Sequence, residues 1–175
     1  MRPERVFHFS EDPDIKVFAP HQARTAQVLG EWVWAVDEQR APSYWFPRDC
    51  PRATFWPSPG GRPSYAAESL LAGASRVHAI DWRWMDSLLD CDLFVYTFDG
   101  TTFRPTEEVF GAEGRGFWVS EETVTPIDVQ RVGPLLHRHA EAGVELRAVK
   151  DLAALWQRVI TTPGLDFSGI RLRNL

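Results

Sequence analysis

Short runs of β-branched and aromatic residues, separated by glycine, proline and charged residues, form the pattern of this chain. Runs of this kind predict short strands. We expect strands at Val6–Ser10, Trp32–Val36, Thr54–Trp56, Arg76–Asp81, Leu93–Phe98, Phe117–Ser120 and Val144–Val149. Helical periodicity and capping residues predict helices between the strands. We expect these helices at Ala41–Phe46, Ser64–Ala72, Trp82–Leu89, Pro134–Ala142 and Leu152–Thr161.

The order of these elements favours an α+β fold. The strands come in runs and do not alternate strictly with helices. This favours a mixed, largely antiparallel split sheet with packed helices over a doubly wound parallel sheet. The 175 residues fit a single domain, 1–175. Two segments rich in turn-forming residues, Pro57–Pro63 and Gly111–Gly116, are expected to be exposed loops, and either could act as a lid.

Charge and composition narrow the class of protein. The net charge is −5 and the sequence has no basic run, which disfavours binding to duplex nucleic acid. No stretch approaches the roughly 20 apolar residues of a membrane span, and the N-terminus leads directly into a strand. We therefore expect a cytoplasmic protein without a membrane partner. Cys50 and Cys91 lack the spacing of a metal motif and are expected to be buried free thiols.

The first predicted strand carries a polar pair. Alternation along the strand sends Phe7 and Phe9 to one face, which we expect to be the core face, and His8 and Ser10 to the other. An imidazole and a hydroxyl together offer donors and acceptors that suit ribose or amide recognition. An ordinary strand with one solvated face explains the same pair equally simply.

A second group follows the strand Trp32–Val36. Ala41, Tyr44 and Trp45 stand at helical spacing, so they share one face and point back at the sheet. Eight Trp and eleven Phe in the chain are well above ordinary usage, and such rings both fill cores and line pockets for flat ligands. Tyr44 could therefore pack in the core or offer its ring as a stacking platform.

The third group lies near the strand Phe117–Ser120. If this strand continues through Glu122, alternation places Trp118, Ser120 and Glu122 on one face, and Glu121 on the other. A carboxylate at a strand end beside a tryptophan is a candidate for stabilising a developing cation or acting as a general base. A solvated turn is the alternative.

Other patterns do not predict a site. His137 and His139 stand two apart on a helix, so they point in different directions and cannot hold one metal ion, and no metal site is expected. The sequence has no nucleophile elbow, P-loop or dinucleotide-binding glycine motif. His78 is expected to be structural.

The three groups together resemble the His–Tyr–Glu class of the ADP-ribosyltransferase-like superfamily. Phe7-His8-Phe9-Ser10 resembles its first element, a first-strand histidine followed by a small polar residue. Val33–Asp37, leading to Tyr44, resembles the second element, and Trp118–Glu122 resembles the third. The whole chain also looks like a small family of uncharacterised bacterial proteins.

The resemblance implies an ADP-ribosyltransferase-like fold and an enzyme that consumes NAD, either a mono-ADP-ribosyltransferase or an NAD glycohydrolase. His8 would bind the nicotinamide-side ribose and Tyr44 would stack on the nicotinamide. Ser10 and Trp34 complete the group that would bind NAD.

The same resemblance implies that a glutamate stabilises the oxocarbenium-like centre. Glu122 is preferred because it would share a strand face with Trp118 and Ser120, and Glu121 is the other choice.

Two other functions suit the same residues. One is a non-catalytic module that binds a nucleotide, sugar or peptide in an aromatic-lined cleft. The other is an RNA 2′-phosphotransferase-like enzyme, which shares the superfamily fold but which the negative net charge disfavours. The expected partners are NAD or a related nucleotide and an acceptor that the sequence does not identify.

Overall fold

The computed structural model describes residues 2–22, 30–110 and 116–175, and shows an α+β fold with two sheets. The strands in these ranges are β1 (Arg5–Ser10), β2 (Val33–Val36), β3 (Arg52–Pro57), β4 (Val77–Asp81), β5 (Phe94–Asp99), β6 (Arg104–Pro105), β7 (Phe117–Ser120), β8 (Asp128–Arg131), β9 (Glu145–Val149) and β10 (Leu165–Ile170). The α-helices there are α1 (Tyr65–Leu71), α2 (Met85–Asp90), α3 (Thr106–Phe110), α4 (Leu135–Glu141) and α5 (Leu152–Ile160). The predicted mixture of helices and largely antiparallel strands is confirmed.

The chain forms two compact units, each built from two segments. The first unit consists of Met1–Trp45 and Asp92–Val132, and the second of Phe46–Cys91 and Gly133–Leu175. Each unit contains one of the two sheets. The organisation as a single domain, 1–175, stays a prediction.

The first unit contains a six-stranded antiparallel sheet in the order β6-β7-β2-β1-β5-β8. Its core lies on one face, where alternate residues of the central strands point together. The buried residues of this core are Val6, Val33, Ala35, Tyr96, Phe98, Phe103, Trp118 and Val124. Phe18, from the segment after β1, packs against them.

The predicted core face of β1 is wrong. Val6 and Ser10 are buried, whereas Phe7 and Phe9 are only half-buried. The reason is the register with β5, which sets Val6 opposite Phe98 and His8 opposite Tyr96, two of the largest buried side chains. The face that carries His8 is therefore the one that packs into the core.

The second unit contains a four-stranded sheet in the order β10-β3-β4-β9, in which only the β4–β9 pair is parallel among the registered pairs of the described residues. One face packs Phe55 and Val77 against α1 and α5. The helix α1 begins after Ser64, whose hydroxyl accepts the N–H of Ala67, as an N-cap should.

Several elements differ from the sequence prediction. The strands β6, β8 and β10 and the helix α3 were not predicted. The helix expected at Ala41–Phe46 is a 3₁₀ helix over Ala41–Tyr44, and the one expected at Trp82–Leu89 is a 3₁₀ turn followed by α2. Pro134 lies just before α4 with an extended backbone, not at its first position. Most of the predicted loop Gly111–Gly116 lies outside the described residues.

Both cysteines are free, as expected, but their environments differ. Cys50 is buried and Cys91 is partly exposed, which corrects the expectation that both are buried. Burial raises the pKa of the Cys50 thiol to about 12, so this thiol stays protonated at neutral pH. In the described part of the chain, no helix is both long enough and apolar enough to cross a membrane.

Gly100 provides a test of the first unit. Its N–H donates to the carbonyl oxygen of Glu4 at 2.9 Å, and a Cβ at this position would overlap the carbonyl oxygen of Pro3. We expect Gly100→Ala to lower the free energy of unfolding by about 2 kcal/mol, because the overlapping atom belongs to the backbone and cannot rotate away.

The matched control for Gly100→Ala is Gly61→Ala, where an added Cβ would meet no atom within 4 Å. Urea unfolding of both variants measures the difference. Equal stabilities of the two variants would contradict the described packing around Gly100.

Candidate functional site

The ladder between β1 and β2, the two central strands of the first unit, is much shorter than the ladder between β1 and β5. On one side, β1 pairs with β5 at six registered positions, from Arg5↔Asp99 to Ser10↔Phe94. On the other side, among the described residues, β1 and β2 have the single registered pair Phe7↔Val36. Continuing that register would set Phe9 opposite Trp34, but this pair is not formed.

The phase of the ladder shows what faces this opening. The N–H of Gly100, just after β5, donates to the carbonyl of Glu4, just before β1. Glu4 and Gly100 are therefore a hydrogen-bonded pair in the β1–β5 register. Hydrogen-bonded and non-bonded pairs alternate in an antiparallel ladder, so the odd-numbered residues of β1 direct their N–H and C=O groups toward β2. The main-chain N–H and C=O of Phe9 therefore point at the opening. We call this region the β1–β2 opening.

His8 bridges the β1–β2 opening. Its Nδ1 lies 2.9 Å from the carbonyl oxygen of Trp34, the oxygen that a regular ladder would offer to the N–H of Phe9. A ring nitrogen that bonds a carbonyl carries the proton, so Nδ1 of His8 is the donor. The half-buried imidazole also meets the ring of Phe18 edge-on, with centroids 5.0 Å apart.

Tyr44 lies on the opposite face of β1 from His8. Its ring is nearly parallel to that of Phe9, with an angle of 14° between the planes and 6.2 Å between the centroids. Because Phe9 and His8 are neighbours on a strand, their side chains point to opposite faces. The structure thus does not bring the rings of Tyr44 and His8 together. The two side chains flank the same short stretch of main chain.

Further rings extend the face that carries Tyr44. Trp34 meets Phe117 edge-on, with centroids 6.4 Å apart, and the guanidinium of Arg40 lies 4.7 Å above the ring of Phe117. The rings of Phe9, Trp34, Tyr44 and Phe117 are all half-buried. We call these four rings and Arg40 the aromatic face.

Ser10 has a local structural contact. It is buried, and its Oγ accepts the main-chain N–H of Asp12 at 3.1 Å, which stabilises the turn after β1. Its role in ligand binding stays a prediction.

The two glutamates lie in the turn after β7. This strand ends at Ser120, whose Oγ accepts the N–H of Glu122 at 3.2 Å, so the alternation expected to extend through Glu122 stops before it. Glu122 is exposed, while Trp118 and Ser120 are buried. The expected grouping of Glu122 with these two residues on one strand face is therefore not formed.

Glu121 lies on the side of the aromatic face. Val119 is in register with both Trp34 on β2 and Arg104 on β6, and the carboxylate of Glu121 lies 2.6 Å from Nη2 of Arg104. Residues in register on neighbouring strands point to the same face of a sheet, so the contact with Arg104 places the carboxylate of Glu121 on that face. The side chain of Glu121 is 62% exposed.

A family model matches residues 7–175. The chain belongs to the family of unknown function DUF6886. The DUF6886 match covers His8, Tyr44 and both glutamates. No curated protein and no solved structure matches the chain.

Sequence reasoning did not identify Arg104, Arg40 or the main chain of Phe9. Arg104 belongs to a strand of two residues, too short for a periodic pattern, and Arg40 precedes a 3₁₀ helix. Phe9 carries the pattern of a core residue, and only the missing ladder pair with Trp34 shows that its main chain is directed at an opening. Among the described residues, no three His, Cys, Asp or Glu side chains are grouped as a metal site would require.

Proposed function

We propose that the first unit binds NAD at the β1–β2 opening and cleaves its nicotinamide–ribose bond, as a mono-ADP-ribosyltransferase or NAD glycohydrolase with an ADP-ribosyltransferase-like fold. The observation that carries this proposal is the main chain of Phe9 beside the ring of Tyr44. A carboxamide needs one acceptor and one donor, which the C=O and N–H of Phe9 supply. A flat pyridine ring needs an aromatic surface, which Tyr44 supplies.

The position of Phe9 is compatible with this recognition. The superfamily that the sequence resembles commonly has a glycine there, which lets the ligand reach the main chain. Here β2 leaves the ladder beside Phe9, and the phenylalanine ring points to the Tyr44 side. A flat ring inserted between two parallel rings needs about 7 Å, two layers of about 3.5 Å, so the 6.2 Å between Phe9 and Tyr44 requires only a small movement.

The chemistry requires an anion near the sugar. When the C1′–N bond breaks, its electron pair leaves with neutral nicotinamide and positive charge develops on the ribose. The oxygen of water or of an acceptor then bonds to C1′ and releases a proton. A carboxylate directed at C1′ stabilises the developing cation.

Glu121 is our preferred carboxylate, and Glu122 is the second choice. Glu121 follows Val119 by two residues, and Val119 lies two strand spacings, about 10 Å, across the sheet from the position of Phe9. A nucleotide between the two side chains spans this distance. Glu121 is preferred over Glu122 because its carboxylate lies on the side of the aromatic face.

Tyr44→Ala tests the stacking surface. We expect the variant to bind NAD at least 10-fold more weakly than the wild type, because stacking on an aromatic side chain contributes about 1–3 kcal/mol. Isothermal titration calorimetry measures the affinity. Tyr65→Ala is the control, since Tyr65 is 88% exposed in the second unit and should leave NAD binding unchanged. Equal losses in both variants, or none in either, would refute the role of Tyr44.

A non-catalytic binding module is the second candidate. The observation that favours it is the ion pair between Glu121 and Arg104, which compensates the carboxylate charge that catalysis needs. This alternative predicts that NAD or another nucleotide raises the melting temperature without release of nicotinamide. It also predicts that Glu121→Gln leaves that shift unchanged.

A further inference from the structure

Arg104 is held in place on two sides. Its guanidinium carbon lies 5.3 Å from the centroid of the Trp32 ring, and its Nη2 lies 2.6 Å from Oε1 of Glu121. Trp32 is buried, so the surface beneath the guanidinium is fixed. A guanidinium stacked on a fixed ring loses little further freedom when its donors bind a planar or tetrahedral anion.

The present partner of Arg104 is easily replaced. The two side chains are 41% and 62% exposed, and ion pairs this exposed contribute little to stability because water screens them. Toward a guanidinium, an ionised carboxylate acts only as a hydrogen-bond acceptor, and so do phosphate oxygens. A diphosphate carries two negative charges and more acceptor oxygens than one carboxylate, and so competes well for the same donors.

Arg104 lies where the diphosphate of a dinucleotide bound at the β1–β2 opening would reach. Arg104 is in register with Val119, and Val119 with Trp34, so all three lie on the side of the aromatic face. Three strand spacings, about 14 Å, separate Arg104 from Phe9 across the sheet. A dinucleotide whose nicotinamide lies at the β1–β2 opening extends its diphosphate over this distance.

We propose that Arg104 is a phosphate-binding residue and that Glu121 occupies its anion site in the ligand-free protein. The anion site itself follows from the geometry of Arg104, while the identity of the ligand as a dinucleotide rests on the proposed function. When the diphosphate binds Arg104, the carboxylate of Glu121 is released and turns toward the sugar. Ligand binding thus frees the group that the proposed chemistry uses.

Calorimetric titration with inorganic pyrophosphate and with ADP tests this site, because neither probe contains nicotinamide. We expect both to bind the wild type, and Arg104→Gln to weaken both at least 10-fold. Arg104→Lys keeps the charge but loses the planar fork, and should retain part of the affinity. The matched control is Arg131→Gln. Arg131 lies on β8, at the other edge of the same sheet, and forms an exposed ion pair with Asp92.

The outcomes separate this inference from the proposed function. Pyrophosphate that does not bind, or that binds the wild type and Arg104→Gln equally, overturns the anion site even if NAD is cleaved. An equal loss in Arg131→Gln also overturns it, because the effect would then reflect general surface charge. Binding that depends on Arg104, in a protein that releases no nicotinamide from NAD, supports the anion site and refutes the proposed reaction.

Discussion

Glu121→Gln is expected to lower the rate of nicotinamide release from NAD about 100- to 1000-fold, the usual effect of removing one group that stabilises charge in a transition state. The amide has the shape of the carboxylate but not its charge, so the KM for NAD should change little. Chromatographic measurement of nicotinamide at several NAD concentrations separates the two parameters.

Glu122→Gln is the matched control for Glu121→Gln. Glu122 is the adjacent residue in the same turn, is exposed, and has a main-chain contact to Ser120 that the substitution preserves. We expect its rate to stay within about threefold of the wild type, as for surface changes without a specific role. A larger loss in Glu122→Gln than in Glu121→Gln would return the role to Glu122, and unchanged rates in both would exclude either glutamate as the stabilising group.

The stability of the second unit is expected to fall as the pH falls below about 6.5, the ordinary pKa of histidine. His78 and His139 are 0% and 1% exposed, with ring centroids 5.2 Å apart. The Nε2 of His78 accepts the Nε–H of Arg76 at 3.0 Å, and the Nδ1–H of His139 donates to the carbonyl of Leu135 at 2.7 Å. The first contact requires a neutral His78, because an acceptor nitrogen carries no proton, whereas the second contact suits either form of His139.

The surroundings of the two histidines oppose protonation. Burial lowers the pKa of His78 well below its ordinary value, and His139, Arg76 and Arg52 lower it further. Burial also lowers the pKa of His139, more than the carbonyl of Leu135 raises it, and Arg52 and Arg76 act in the same direction as burial. Both rings therefore stay neutral in the folded chain at pH values where they are charged in the unfolded chain.

The direction of the pH effect follows from this difference. Below pH 6.5 the unfolded chain binds protons that the folded chain does not, so the stabilisation is complete above that pH and declines as the pH falls toward the folded pKa values. Each histidine contributes a slope of about 1.4 kcal/mol per pH unit. Urea unfolding should therefore give a lower free energy of unfolding at about pH 5 than at about pH 6, by up to about 1.4 kcal/mol for each histidine that stays neutral, before most carboxylates titrate.

Substitutions of the histidines test whether they cause the pH dependence of the free energy of unfolding. His78→Gln and His139→Gln should each remove about half of the slope, whatever their effect on stability at neutral pH. The control is His137→Gln, since His137 is exposed on the same helix, α4. A slope that persists in both buried-site variants, or that vanishes in the His137 variant, would be inconsistent with a buried neutral pair.

Strands with strong local patterns were predictable from sequence, whereas their faces were not. The strand β7 has the predicted bounds, and β1 differs from its prediction by one residue, because aromatic and β-branched residues dominate both. The local pattern predicts the wrong core face for β1, because two phenylalanines outweigh a valine and a histidine in it. Tyr96 and Phe18, distant in sequence, decide the face in the structure.

Elements held mainly by long-range pairing were missed. The strand β10, Leu165–Ile170, contains Asp, Ser and Gly, which are poor strand formers, and its six registered pairs with β3 define it. All four residues of β8 are exposed, so no apolar alternation marks it. The pairing of His78 with His139 likewise depends on the packing of α4 and has no local pattern.

The candidate site was predictable in part. His8, Tyr44 and the glutamates were chosen for their residue types and their resemblance to a known class. The opening beside Phe9 depends on where the β1–β2 ladder ends, and the choice between Glu121 and Glu122 depends on β7 ending at Ser120. Neither feature is encoded in alternation alone.

Incubation of the purified chain with NAD, followed by measurement of free nicotinamide, tests whether the protein cleaves the nicotinamide–ribose bond. We expect nicotinamide release that falls about 100- to 1000-fold in Glu121→Gln, falls in Tyr44→Ala when the NAD concentration is below the KM, and is retained in Tyr65→Ala. We also expect an equimolar amount of ADP-ribose, free or attached to an acceptor. The absence of nicotinamide release, together with no change in melting temperature on addition of NAD, would contradict the proposed function.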